Sequence, residues 1–234
     1  MTDKKTLVFL PGSLCDDRVW SRQIEAFSTD YEISTPHLLE CTSLDDMARA
    51  ALAEIPQSFS LVGFSMGGRI ALEMMRFAPE RIERLALFDA SVHPIGPDEA
   101  TKRQPLIDLA YKDGMAAVAK QWLPRIAHPS RLNDEAYMAL LTDMASHFTA
   151  EEYEREVRAL LNRPDPRPIL GDIKCPTLIL AGADDPLSTP QRNRDMAAQI
   201  PHAELIILEG CAHFPMLEDP ERVNDALRRW LATD

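Results

Sequence analysis

The stretch LVGFSMGGRI (61–70) holds three of the nine glycines of a 234-residue chain within six positions. The residues before its serine, FSLVGF (59–64), form a short apolar run, which predicts a buried strand. The residues after it, MGGRIALEMMRFA (66–78), have helical periodicity and end at Pro79, which predicts a helix. Ser65 therefore lies in a tight strand-to-helix turn, and such a turn strains its central residue.

The glycines around Ser65 stand where that turn needs them. Side chains two residues before and two residues after the serine would collide with neighbouring backbone, and Gly63 and Gly67 occupy those positions. We expect Gly68 to bring the helix close to the sheet and the turn to expose the Ser65 hydroxyl. The amide of Met66 then lies at a helix N-terminus, where negative charge is favoured. The motif indicates a nucleophilic serine, with a glycine-rich turn and a solvent-facing serine as the alternative.

Strand-like and helix-like segments alternate on both sides of this turn. The predicted strands are residues 5–10, 31–36, 59–64, 82–90, 176–182 and 203–208. Repeated strand–helix units predict an α/β fold with a mostly parallel, six-stranded sheet flanked by helices. Ligands of such sheets bind beyond the carboxyl ends of the strands, so we expect the site there.

The alternation stops in the middle of the chain. Residues 91–174 show three or four amphipathic helical patterns separated by proline-rich segments, and no strand pattern. Because this segment leaves the sheet after Asp89, at the carboxyl end of the fourth predicted strand, it is placed to cover the site. We therefore expect a helical cap, or lid, at 91–174, inserted into an α/β core of residues 1–90 and 175–234.

Composition and charge exclude several classes of protein. The net charge is −12 and no basic cluster is present, so we expect no nucleic-acid partner. No apolar run is long enough to span a membrane, so we expect no membrane partner. The apolar segment near the N-terminus is too short for a signal peptide, which predicts a cytoplasmic protein. The four cysteines form no C-x-x-C pair and no zinc pattern, so we expect free thiols, no metal and no cofactor.

A nucleophilic serine needs a base within hydrogen-bond reach and an acid that orients the base. Of six histidines, His213 follows the sixth predicted strand at its carboxyl end, on a loop that opens with Gly210. The other five precede Ser65, lie in the inserted segment or stand at the amino end of a strand. His213 is therefore the candidate base, with a helix-capping or surface histidine as the alternative.

Three carboxylates compete for the role of the acid. Asp184 and Asp185 lie in AGADDPLSTP (181–190), the loop after the fifth predicted strand, and Asp89 ends the fourth. A polar turn in which Asp precedes Pro is the structural alternative for this loop. The residues by themselves leave the choice among the three open.

Four segments resemble the α/β-hydrolase superfamily, in the family's order and over nearly the whole chain. They are LVFLPGS (7–13), LVGFSMGG (61–68), LILAGADDPLSTP (178–190) and GCAHFPMLEDPERVNDALRRWL (210–231). The chain looks most like small bacterial esterase-like members that carry a helical cap. The resemblance implies a serine hydrolase of the carboxylesterase type.

The resemblance also implies a catalytic triad. The family order of nucleophile, acid and base matches Ser65, Asp185 and His213. The acid is implied by position, because it usually stands three residues after the glycine of its loop. Asp184 and Asp89 stay as alternatives for this role.

An oxyanion hole is implied at the backbone amides of Ser13 and Met66. Pro11 stands where family members often have histidine, but this position is mainly structural, so we expect the chemistry to survive. The implied reaction is acyl transfer to water through an acyl-enzyme on the serine.

The resemblance implies a small-molecule substrate, namely a carboxylic ester, a lactone or a related acyl compound. We expect the cap to select it, with Trp122 as one candidate substrate-binding residue. Arg69, one helical turn after Ser65, is the other candidate: it meets a substrate carboxylate or faces solvent. Similar arginines occur in relatives of the menaquinone-pathway synthase type, so a lyase or a C–C bond hydrolase on the same triad is an alternative. A non-catalytic ligand-binding member of the fold is a third hypothesis.

Overall fold

The computed structural model describes residues 4–233. The strands within them are β1 (Thr6–Leu10), β2 (Glu32–Ser34), β3 (Phe59–Phe64), β4 (Ile82–Phe88), β5 (Thr177–Gly182) and β6 (Glu204–Leu208). They pair in the order β2-β1-β3-β4-β5-β6. Every pair is parallel. The predicted six-stranded α/β sheet is confirmed, and over the described residues it is parallel throughout.

Helices surround this sheet. They are α1 (Ser21–Phe27), α2 (Leu44–Glu54), α3 (Met66–Phe77), α4 (Glu99–Asp113), α5 (Met115–Trp122), α6 (Glu135–Ser146), α7 (Ala150–Leu161), α8 (Arg167–Leu170), α9 (Pro190–Ala197), α10 (Pro215–Glu218) and α11 (Pro220–Leu231). Short 3-10 turns occur at Asp17–Trp20, Pro79–Arg81, Leu123–Arg125 and Pro129–Arg131. Between residues 4 and 233, no helix combines the length and the apolar character that crossing a bilayer requires.

Successive residues of β1 belong to two different apolar clusters. Leu7 and Phe9 lie in one cluster and Val8 and Leu10 lie in the other, and all four are fully buried. Because successive side chains of a strand point to opposite faces, apolar cores cover both faces of the sheet. This explains why the strands read as continuous apolar runs rather than as alternating patterns.

Residues 89–176, all of which the structure describes, contain helices and no strand. Helix α4 packs against α5 and α7, and α5 packs against α6. Buried side chains of these helices, such as Val118 and Leu141, belong to the same apolar cluster as Phe9 and Phe88 of the sheet. The inserted helices are therefore joined to the sheet by shared apolar packing.

Two elements differ in extent from the sequence prediction by three residues or more. The pattern at 16–27 predicts one helix, but a 3-10 turn at Asp17–Trp20 precedes α1. The Asp16 side chain caps this turn by accepting a hydrogen bond from the Arg18 amide at 3.0 Å. The strand predicted at 31–36 shortens to three residues, because it lies at the edge of the sheet and pairs with β1 alone.

Candidate active site

Ser65 joins β3 to α3 with φ +53° and ψ −111°, a conformation that residues other than glycine rarely adopt. A Cβ atom on Gly63 would lie 2.5 Å from the carbonyl oxygen of Gly67, and one on Gly67 would lie 2.3 Å from a carbonyl oxygen of β1. A Cβ on Gly68 would lie 2.5 Å from the Cβ of Ala90. These distances are shorter than non-bonded atoms allow. The turn therefore accepts only glycine at the three positions.

The turn brings Ser65 next to a histidine and an aspartate from two other loops. Ser65 Oγ lies 3.1 Å from Nε2 of His213, and Nδ1 of His213 lies 2.8 Å from Oδ2 of Asp185. Asp185 follows β5 and His213 follows β6, so both lie at carboxyl ends of strands, as Ser65 does. His213 is 4% exposed and Asp185 is 2% exposed. The three side chains form one hydrogen-bonded chain, and His213 and Asp185 within it are shielded from water.

Asp185 is held in its ionised form. Burial raises the pKa of this carboxyl, but the charge of His213, its hydrogen bond at 2.8 Å and the hydrogen bond from the Leu187 amide at 2.7 Å together hold the pKa below its usual range. A carboxylate in this position orients the imidazole and stabilises its cation.

The two rival acids occupy different places. Asp184 is directed toward the inserted helices: its side chain is 55% exposed, and its Oδ2 lies 3.3 Å from Nε2 of His128. Asp89 is buried and lies next to Asp185, and its Oδ1 accepts a hydrogen bond from the Gly182 amide at 2.9 Å. Of the three candidate acids, Asp185 is the one that the described structure joins to the imidazole.

Burial favours the neutral form of the Asp89 carboxyl. Its Oδ2 is buried, and no hydrogen-bond donor within residues 4–233 reaches it. Burial, followed by the nearby charge of Asp185, raises the pKa of Asp89 well above its usual range. A proton on Oδ2 accounts for both facts, because a protonated carboxyl carries no charge and its hydroxyl oxygen needs no donor.

Asp89→Asn is expected to remove a pH-dependent loss of stability. The folded state keeps Asp89 protonated, whereas the unfolded state releases this proton above about pH 4. The free energy of unfolding of the wild type therefore falls as the pH rises, by up to about 1.4 kcal/mol per pH unit. Asparagine stays neutral and keeps an oxygen for the Gly182 amide, so the stability of the variant relative to the wild type should grow between about pH 5 and about pH 8. Urea unfolding at both pH values measures this difference.

Asp98→Asn is the matched control, because Asp98 is exposed in the loop that follows the same strand. This control should leave the pH dependence of stability as it is in the wild type. A stability difference between wild type and Asp89→Asn that stays constant across the pH range would mean that Asp89 is ionised in the folded protein.

Asp89, Asp185 and His213 each offer a donor atom within 4.8 Å of the others, which is close enough to share a metal ion. In the observed arrangement Nδ1 of His213 bonds to Asp185, while Nε2 faces Ser65. A cation would have to replace the first of these contacts. The geometry of these donors therefore fits a hydrogen-bonded triad better than a metal site.

Two backbone amides adjoin Ser65. Met66 is the first residue of α3, so its amide has no carbonyl one turn earlier to bond to. The amide of Ser13 has no hydrogen-bond acceptor in the described part of the chain. The loop that carries Ser13 lies against Ser65, since a Cβ on Gly12 would lie 3.2 Å from Cβ of Ser65. Both amides are therefore without a hydrogen-bond partner among residues 4–233, which is a condition that an oxyanion hole must meet.

Comparison with known proteins relates this arrangement to a family. The model of the alpha/beta hydrolase family matches residues 7–226. The chain belongs to the alpha/beta hydrolase family. The matched region contains the six strands except the first residue of β1, the inserted helices and the whole hydrogen-bonded triad of this α/β hydrolase.

Individual relatives are similar over nearly their whole length. The chain is 26% identical to the pimeloyl-[acyl-carrier protein] methyl ester esterase of Aliivibrio salmonicida, over 96% of this chain and 91% of the relative. It is 28% identical to 3-oxoadipate enol-lactonase 2 of Acinetobacter baylyi, over 96% of this chain and 88% of the relative. Among solved structures, MenH from S. aureus aligns with a TM-score of 0.87 at 24% identity, over 99% of this chain and 94% of MenH. The likeness to MenH confirms the fold.

Contacts between the inserted helices and the site loops of this α/β hydrolase are not visible in the sequence patterns. Glu156 of α7 accepts hydrogen bonds from the loop after β1. Glu218 bridges the Tyr137 hydroxyl, at 2.7 Å, and the amide that precedes His213, at 2.6 Å. The amide of His213 itself donates to the Ile126 carbonyl at 3.0 Å. The sequence shows Glu156 as a charged residue on the apolar face of its helix. It does not show that the hydrogen-bond partner of Glu156 is Ser13, 143 residues away.

The two candidate substrate-binding residues lie in different settings. Arg69 is 9% exposed and its guanidinium donates to the His93 carbonyl at 3.0 Å, so it does not simply face solvent. Burial, and then the nearby charge of Arg163, lower the pKa of Arg69 to about 9. No carboxylate of residues 4–233 forms an ion pair with it. Trp122 is half-buried at the end of α5, where it packs against the apolar cluster shared by the inserted helices and the sheet.

Proposed function

We propose that this α/β hydrolase is a serine hydrolase that cleaves a small carboxylic ester, a lactone or a related acyl compound through an acyl-enzyme. The observation that carries the proposal is the hydrogen-bonded chain from Ser65 through both ring nitrogens of His213 to Asp185, with distances of 3.1 and 2.8 Å. A hydroxyl, an imidazole and a carboxylate in this order are the groups that activate a serine nucleophile.

In the proposed reaction, Ser65 Oγ attacks the carbonyl carbon of the substrate while Nε2 of His213 takes the hydroxyl proton. The carbonyl oxygen becomes an oxyanion, and the amides of Ser13 and Met66 donate hydrogen bonds to it. The carboxylate of Asp185 stabilises the imidazolium. His213 then gives its proton to the leaving alcohol, and the same steps with water as the nucleophile release the acid and restore the serine.

The names of the relatives support the class of bond that is cleaved. One is a methyl ester esterase and another is an enol-lactonase. A lactone is a cyclic ester, so both names describe cleavage of an ester linkage. At 26% and 28% identity over most of both chains, the relatives support this class of bond without specifying the acyl group.

We also propose that residues 91–174 form a cap that selects the substrate. This segment leaves the core directly after Asp89, next to the proposed triad, and its helices contact the loops that carry the site. Trp122 is the proposed apolar contact with the substrate, because its ring is only half-buried. Other large apolar side chains of the cap are buried and pack its helices together: Met115, Met144, Phe148 and Tyr153.

A lyase or a C–C bond hydrolase that uses the same triad is the second candidate, and one observation favours it. Arg69 lies one helical turn after Ser65, is almost buried and has no carboxylate partner in the described chain. A guanidinium in this setting is suited to bind a carboxylate of the substrate. A simple ester without a carboxylate would leave this group unused.

A fluorophosphonate probe and a panel of p-nitrophenyl esters of increasing acyl length test the proposal together. We expect the probe to label Ser65 and the protein to hydrolyse short esters. Labelling without hydrolysis of any ester would favour the lyase or the C–C bond hydrolase. If well-folded protein is not labelled, the proposal is overturned and a ligand-binding member of the family is favoured.

A further inference from the structure

Glu156 connects the inserted helices to the loop after β1. It lies on α7 and is 4% exposed, and its Oε2 accepts hydrogen bonds from the Ser13 hydroxyl at 2.6 Å and from the Leu14 amide at 3.0 Å. No cation of residues 4–233 pairs with this carboxylate. Burying a carboxylate against two neutral donors costs free energy, so packing alone does not explain this residue.

The two donors belong to one tight turn. The Cys15 amide donates to the Gly12 carbonyl at 3.2 Å, and Leu14 has φ +61°, which is the type II pattern. Type II turns favour glycine at this third position, and a leucine there is strained. Relaxation to a type I turn would rotate the central peptide and with it the N–H of Leu14. The hydrogen bond from the Leu14 amide to Glu156 opposes that rotation, and the hydrogen bond from the Ser13 hydroxyl to the same oxygen holds Ser13, whose own amide precedes the central peptide.

We infer that Glu156 is a positioning residue for the oxyanion hole: it holds the turn of residues 12–15 in the conformation that presents the Ser13 amide to the substrate oxygen at Ser65. This inference rests on the proposed function, in which the Ser13 amide stabilises the oxyanion. Because Glu156 comes from the proposed cap, the cap contributes to the geometry of the reaction centre in addition to selecting the substrate.

The acceptor oxygen is available in both protonation states of Glu156. Burial raises the pKa of this carboxyl to about 7, and the hydrogen bonds from the turn act in the opposite direction. The titratable groups near it are Cys15 in the loop and Glu152 and Tyr153 on its own helix. Since Oε2 accepts hydrogen bonds whether or not Oε1 carries a proton, glutamine is the replacement that keeps the contact.

Steady-state hydrolysis of p-nitrophenyl acetate by Glu156→Ala tests the inference. Removing the acceptor lets the turn relax, so we expect kcat to fall about 10- to 100-fold, because small displacements of a transition-state donor have effects of this size. KM should change by less than about threefold, because an oxyanion donor acts in the transition state. A trifluoromethyl ketone, whose adduct with a serine carries an oxyanion, should bind more weakly by a factor similar to the loss in kcat.

Two further Glu156 variants keep the test decisive if Glu156→Ala does not fold. Glu156→Gln keeps an acceptor at the same distance and should keep kcat within about threefold of the wild type. Glu156→Asp keeps the charge but withdraws it from the turn by one methylene, and should lose more of kcat than Glu156→Gln does. Glu154→Ala is the matched control, because Glu154 lies on the same helix and bonds to Tyr111 and Arg158 instead.

Two results would overturn the inference. One is a folded Glu156→Ala, or a Glu156→Asp, that keeps the wild-type kcat. The other is a loss that appears in KM alone, with unchanged affinity for the trifluoromethyl ketone. Fluorophosphonate labelling of the wild type separates this failure from a failure of the proposed function. If the wild type is labelled at Ser65 and Glu156→Ala keeps its kcat, only the role of Glu156 is lost.

Discussion

Ser65→Ala is expected to lower the kcat for a short p-nitrophenyl ester by about 10⁴- to 10⁶-fold while the protein stays folded. The substitution removes the only atom that forms the covalent bond to the acyl group in the proposed reaction. The other triad members cannot compensate, because triad residues act as a unit. Alanine and serine have the same backbone strain at φ +53°, so the fold should tolerate the substitution. Initial rates, circular dichroism and thermal melting measure both parts of this expectation.

Ser58→Ala is the control for that experiment. Ser58 is exposed just before the amino end of β3, the strand whose carboxyl end carries Ser65. The same chemical change at the opposite end of one strand should leave kcat within about twofold, as exposed substitutions usually do. A folded Ser65→Ala that keeps a tenth or more of the activity would contradict the role of Ser65.

Asp185→Asn is expected to lower kcat by about 10³- to 10⁴-fold near neutral pH with little change in fold. The Leu187 amide donates to Oδ1 of Asp185 at 2.7 Å, so the asparagine must keep its oxygen there. Its NH₂ group then takes the place of Oδ2 and donates to Nδ1 of His213. This stabilises the tautomer with the proton on Nε2, which cannot accept the proton of Ser65. The residual imidazolium would also lack a counter-charge.

The pH profile of kcat, together with the neighbouring variant Asp184→Asn, checks this explanation. Asp184 differs from Asp185 by one position in the same loop, but its side chain is exposed and lies near His128. Asp184→Asn should therefore keep kcat within about threefold of the wild type. An Asp185→Asn variant that retains more than a tenth of the wild-type kcat would show that Asp185 does not orient the base. Asp89, which lies next to Asp185, would then be the acid to test.

The turn and the sheet could be predicted from the sequence because both depend on local pattern. Continuous apolar runs identified β1, β3 and β5, and the spacing of Gly63 and Gly67 around Ser65 indicated the close backbone approach that the structure contains. The short strand β2 was overextended in the prediction. Its length depends on a single pairing with β1 at the sheet edge, and the local sequence pattern of β2 contains no information about that pairing.

The candidate site could be predicted only in part. Loop order and the position of His213 after the last strand pointed to the base, and its 3.1 Å approach to Ser65 agrees with that position. The choice among three aspartates had to come from family resemblance, because their spacing alone does not say which one faces the imidazole. The raised pKa of Asp89 could not be predicted from the sequence, since it depends on burial and on a second carboxyl 96 positions away, at Asp185.

The sequence by itself determined the order of strands and helices, the need for glycine around Ser65 and the segment that interrupts the alternation. These features follow from periodicity and from contacts between residues that are close along the chain. The tertiary structure alone decided that Asp185 reaches His213, that burial raises the pKa of Asp89, and that Glu156 reaches the Ser13 turn from 143 positions away. Desolvation and hydrogen-bond geometry set these outcomes, and both exist only after distant loops have packed together.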